Sequence, residues 1–88
     1  MAIIVAHHKV RDYTIWKPYY DGDKARRVAA GLKDLNVGRK ADDPSDVYMI
    51  WETNDLTKFQ ALAHDPGLEE QMKKSGVTSE LSVTVINE

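Results

Sequence analysis

The stretch Ala2-Ile3-Ile4-Val5-Ala6-His7-His8 is apolar and β-branched at odd and even positions alike. Side chains of a strand alternate between the two faces of its sheet, so a strand of this kind is buried on both. Helices can cover one face. A chain of 88 residues is too short to supply a second layer for the other, and a domain this small is marginal on its own. It has no cysteine, so no disulfide can make up the difference. A second copy of the chain is the remaining cover, and a homodimer is expected.

From Asp12 the pattern turns helical. Tyr13, Trp16, Tyr20, Val28, Ala29 and Leu32 recur at roughly helical spacing, with Lys17, Lys24, Arg26 and Arg27 left for solvent. Asp12 is a good N-cap, since its carboxylate can accept from amides two or three residues on. Pro18 predicts a bend, and Asp21-Gly22-Asp23 a second break, with the helix restarting near Asp23 and ending before Gly31. Residues 32–40 read as a strand with Leu35, Val37 and Arg39 on one face. The turn signal Asp42-Asp43-Pro44-Ser45 joins it as a hairpin to Val47-Tyr48-Met49-Ile50-Trp51-Glu52, again apolar on both faces. Asn54 or Asp55 caps a helix with Leu56, Phe59, Leu62 and Ala63 inward. His64-Asp65-Pro66-Gly67 breaks it, Leu68 to Lys74 forms a further short helix ended by Gly76, and Leu81 to Ile86 alternates as a last strand.

The order β-α-β-β-α-β over a single domain, residues 1–88, is the ferredoxin-like α+β arrangement. It is a four-stranded antiparallel sheet with its helices on one face. Two of the strands are apolar on both faces, which leaves an open sheet face to be covered by a second copy about a two-fold axis.

Composition excludes several classes of function. Net charge is −2 and the cations are dispersed, so no nucleic-acid partner is expected. No apolar run approaches the roughly 20 residues of a membrane span. The N-terminal Met-Ala-Ile-Ile-Val-Ala lacks a basic region and cleavage site, so a cytoplasmic location is expected. His7, His8 and His64 have no zinc-ligand spacing, and no metal is expected. No nucleotide fingerprint or Ser-His-Asp set is present.

The chain resembles the dimeric α/β-barrel superfamily, and within it the antibiotic biosynthesis monooxygenase-like group. The resemblance is carried by His8-x-Val10-x-Asp12-Tyr13-x-x-Trp16-Lys17, then Asp42-Asp43-Pro44-x-x-Val47-Tyr48 and Trp51-x-x-x-Asp55-Leu56. Phe59, Asp65-Pro66-x-Leu68 and Met72-x-x-x-Gly76-Val77 follow in order. It implies a homodimer whose two sheets form a barrel, with a cavity between each sheet and its helices or loops. Relatives include cofactor-free oxygenases, haem-degrading enzymes, isomerases and cyclases, so the fold alone does not choose a reaction.

Two classes of function follow. In the first, no cofactor is needed, and the protein deprotonates an activated aromatic or enolic molecule whose carbanion reacts with oxygen. His8 is then the general base and Asp12 its orienter. Trp16, Tyr48 and Trp51 are pocket walls, and Arg39 steadies an anionic oxygen. An isomerase or cyclase would use the same base without oxygen. In the second, the chain is a non-catalytic dimer that binds a small apolar ligand or has a purely structural role. Here Asp12 is only a cap, His8 bonds to main chain or Asp12, and the aromatics are core. An accessible cavity with His8 turned into it favours the first class. A packed interior favours the second.

Overall fold

Alternating burial of one strand shows how the chain is layered. In β1 (Ala2–Lys9), Ala2, Ile4, Ala6 and His8 are buried while Ile3, Val5 and His7 are half-exposed. The buried set meets the core residues Trp16, Met49, Trp51, Phe59 and Leu62. All helices therefore pack on one face of the sheet. The computed structural model describes residues 1–87.

After β1 come α1 (Tyr13–Gly22), α2 (Lys24–Ala29), β2 (Leu32–Lys40), β3 (Asp43–Thr53), α3 (Leu56–Ala63), α4 (Pro66–Ser75) and β4 (Ser82–Asn87). The sheet order is β2-β3-β1-β4, antiparallel throughout. This is the expected ferredoxin-like arrangement, with each of its two helical segments broken into a pair.

The breaks have local causes. Asp12 caps α1 by accepting from the Thr14 amide at 2.9 Å and the Thr14 hydroxyl at 2.7 Å. Pro18 lies inside α1 without ending it, and the interruption falls instead at Asp23. Asp65-Pro66-Gly67 starts α4 rather than merely breaking α3: Asp65 accepts from the Gly67 amide at 2.8 Å, and Pro66 occupies the first turn, where its missing N–H costs nothing. Gly31 (φ 77°) and Gly76 (φ 90°) adopt the left-handed conformation just past α2 and α4.

Two expectations about the hairpin are corrected. Lys40 already pairs with Asp43, so the reversal is tighter than Asp42 to Ser45 and Pro44 belongs to the strand. The ladder also slips between Asp34 and Asn36, leaving Leu35 as the extra residue of a bulge. The bulge shifts the alternation of β2, so Leu35 drops out of the face shared by Val37 and Arg39.

The far side of the sheet carries Ile3, Val5, Tyr48, Ile50 and Ile86, in register across β1, β3 and β4. No helix covers it.

Candidate functional site

Between the helix-bearing face of the sheet and α1, α3 and α4 lies a cavity of about 70 Å³. That exceeds the ~15 Å³ one water requires, and it falls short of the ~300 Å³ of a drug-sized pocket. His8, Trp16, Met49, Trp51 and Ser75 form its deep end and are buried. Tyr19, Asp23, Leu68, Gln71 and Met72 surround the more exposed mouth. Strand alternation sends His8, Met49 and Trp51 to this face, and helical spacing sends Trp16, Tyr19 and Tyr20 to meet them.

His8 is 4% exposed, and neither Nδ1 nor Nε2 has a hydrogen-bond partner among the described residues. Its ring meets Trp16 edge-to-face at 5.8 Å. Burial drives its pKa from 6.5 down to about 4; the Asp46 carboxylate opposes that shift and His7 adds slightly to it. The imidazole is thus neutral at pH 7, with one N–H and one lone pair unanswered by the protein. An unpaired buried polar group costs about 1–3 kcal/mol, and such a group in a native protein calls for an explanation.

The rest of the cavity wall is satisfied. Trp16 stacks on Tyr20 at 4.9 Å, and the Trp51 indole N–H donates to the Tyr20 hydroxyl at 2.9 Å. The Arg27 guanidinium lies 3.7 Å from the centre of the Tyr20 ring, donates to the Tyr20 carbonyl at 2.6 Å, and grips Asp34 through Nε at 3.0 Å and Nη2 at 3.2 Å. Burial pushes the Tyr20 hydroxyl above its ordinary pKa, against the pull of Trp51 and Arg27, so it stays protonated. Charge in this wall is neutralised within the wall itself, and the cavity presents aromatic surface and one free imidazole. Among the described residues, no group of three or more His, Cys, Asp or Glu side chains is placed to hold a metal ion, and no helix is long and apolar enough to cross a membrane.

No protein-family model and no curated protein sequence matches the chain. Solved structures do. An antibiotic biosynthesis monooxygenase superposes with a TM-score of 0.68 at 14% identity, over 100% of this chain and 98% of the other. A candidate antibiotic biosynthesis monooxygenase from Bordetella bronchiseptica gives 0.78 at 10% identity, over 99% and 95%. The fold is that of the antibiotic biosynthesis monooxygenase structures. An uncharacterized NIPSNAP domain protein from Burkholderia xenovorans shares it, at 0.69 and 9% identity over 100% and 94%.

In this monooxygenase-like fold, three of the six residues singled out from the sequence converge. His8, Trp16 and Trp51 line the cavity; the other three lie elsewhere. Asp12 is exposed, and its two hydrogen bonds from Thr14 hold its carboxyl below the usual range. It is not bonded to His8. Arg39 is exposed and lies over the Tyr13 ring at 4.6 Å. Tyr48 is on the opposite face of the sheet, where it stacks on His7 at 4.4 Å with the rings 1° from parallel. His7 in turn bonds Asp46 at 3.0 Å. The sequence reading missed Arg27, which it assigned to solvent. Its signal was the seven-residue spacing of Tyr13, Tyr20 and Arg27, which continues the inward stripe across the break at Asp23.

Proposed function

We propose that the cavity is the reaction site of a small monooxygenase-like enzyme that needs no cofactor, acting on an uncharged aromatic or enolic molecule through His8. The observation that supports this most is the pair of unpartnered, buried imidazole nitrogens at the deep end of an aromatic cavity. A neutral ligand meets no repulsion there. His8 accepts its acidic proton, giving an imidazolium beside a new carbanion or enolate. Burial makes free His8 a weak base, yet the anion that forms against it favours the protonated ring strongly in a dry site. The pairing exists only once charge has developed, which is where stabilisation accelerates a reaction. The carbanion adds dioxygen, and the protonated peroxide loses water to leave a carbonyl: R–CH₂–R′ + O₂ → R–CO–R′ + H₂O. An isomerase or cyclase would stop at the proton transfer.

The small volume of the cavity favours a second reading, a non-catalytic protein that binds a small ligand. One experiment separates them. 2-Naphthol, which is larger than the closed cavity and enters only as the mouth opens, should quench Trp16 and Trp51 on binding, and an oxygen electrode follows a panel of naphthols and cyclic enolic ketones. The enzyme reading predicts uptake that falls at least about a hundredfold in His8→Leu, the lower end of what a general base contributes. Saturable quenching with no uptake and no exchange of the ligand's acidic C–H for deuterium would leave a binding protein.

The uncovered stripe of Ile3, Val5, Ile50 and Ile86 supports a homodimer packed sheet to sheet. Ile50→Glu places a charge in that stripe and should halve the mass measured by light scattering. An unchanged dimer mass in this variant would exclude the sheet face as the interface.

A further inference from the structure

The two helix breaks are joined by one side chain, and each lies close in sequence to residues that line the cavity. Arg26, in the last turn of α2, donates through Nε to Asp23 at 3.0 Å and through Nη1 to Asp65 at 3.1 Å. Asp23 is the junction between α1 and α2 and itself lines the cavity. Asp65 caps α4, one turn before Leu68, which also lines the cavity. The Asp65 carboxylate is shared: Oδ1 accepts from the Gly67 amide and Oδ2 from Arg26. The guanidinium crosses directly over Gly67, where an added Cβ would stand 2.6 Å from Nη1. A side chain at this position would make the end of the guanidinium shift.

We propose that Asp23–Arg26–Asp65 is a strap across the mouth of the cavity, and that access to His8 proceeds through its opening. The role rests on the cavity being the site, but the strap itself does not depend on what reacts there. Helix breaks are the places where the packed layer can hinge, because the regular ladder is disturbed there: the His64 and Asp65 amides donate to the i−3 carbonyls of Ala61 and Leu62, at 3.3 and 3.0 Å. Each link is a partly exposed ion pair, weak enough to break thermally and sensitive to salt. Such a tie sets how often the mouth opens without fixing it shut.

The chain's two tryptophans both line the cavity, so quenching of intrinsic fluorescence by acrylamide reads the mouth and little else. Arg26→Ala removes the strap. Gly67→Ala displaces the end of the Arg26 guanidinium from its place over position 67 while retaining every charge, and it improves helix propensity in α4. Both variants should raise the Stern–Volmer constant about two- to fivefold, the range set by losing partly exposed ion pairs, with an unchanged amide spectrum. A general loss of packing would not do this in Gly67→Ala. If Arg26→Ala fails to fold, wild type in 1 M NaCl takes its place, where the screening length falls to about 3 Å. Quenching that is unchanged in Gly67→Ala and in high salt overturns the strap. Acrylamide needs no substrate, so this result stands apart from the fate of His8 as a base.

Discussion

Trp16→Ala should lower the free energy of unfolding by about 3–5 kcal/mol, the range for removing a fully packed indole. Trp16 is 3% exposed. Its ring touches His8 along one edge, stacks on Tyr20 and meets Tyr13 at 5.8 Å. Truncation therefore opens the deep end of the cavity and removes the aromatic stack on Tyr20. Tyr20 is the hinge of the polar wall, receiving the Trp51 indole and carrying Arg27 on its face, so the loss should spread to those contacts. An 88-residue domain has about 4–13 kcal/mol of stability in all, and this one substitution consumes much of it. Urea melts of wild type and variant at one protein concentration check the value. A loss under about 1 kcal/mol would mean that Trp16 is not packed against the cavity as described.

Acid should destabilise the fold through His8 by about 3 kcal/mol, an amount given by its pKa of about 4 against 6.5 in the unfolded chain. The folded state resists the proton that the unfolded state accepts. Above pH 6.5 neither state is protonated at His8 and the contribution is constant. Stability falls as pH drops from 6.5 to 4, and below 4 this contribution levels off. His8→Leu removes this part of the sensitivity and leaves the part due to carboxylates held below their usual range, such as Asp12 and Asp43. At pH 7 the same variant should be more stable than wild type by about 1–3 kcal/mol, since an apolar side chain of similar size replaces an imidazole with no partner. A substitution that strengthens the fold and abolishes activity is the signature of a group kept for function. Melts of both proteins at pH 4 and pH 7 decide the matter, and equal acid sensitivity in the two would remove His8 as the cause.

The fold was legible because its punctuation is chemical. Asp12, Asp55 and Asp65 cap helices, Gly31 and Gly76 end them, and two-sided apolar strands demand a central place in a sheet. The convergence of His8, Trp16 and Trp51 follows from the same periodicities. The failures have equally specific reasons. Asp12 misses His8 because the link from β1 to α1 is tied to the segment after α4: the Arg11 amide donates to the Gly76 carbonyl at 3.0 Å, and the Thr78 amide to the Lys9 carbonyl at 2.8 Å. Those bonds, with the Val10–Val77 bridge, leave the cap at the surface, and nothing local in residues 8–17 encodes them. Arg39 keeps its place beside Val37, but on the edge strand β2 it lies over Tyr13 and outside the cavity lining. Tyr48 was one of two equally apolar faces of β3, and alternation does not say which face the helices choose. Arg27 carries charge, which outweighed its position on the inward stripe.

The most direct test is an NMR titration of the His8 ring, assigned by comparison with His8→Leu, in the free protein and with saturating 2-naphthol. A pKa of about 4 in the free protein, with ring shifts that move when naphthol binds, is the predicted result. It would establish a dry, neutral imidazole at the end of a ligand site. A His8 that titrates near 6.5 and ignores naphthol would contradict the account, because the ring would then be hydrated and facing away from any ligand.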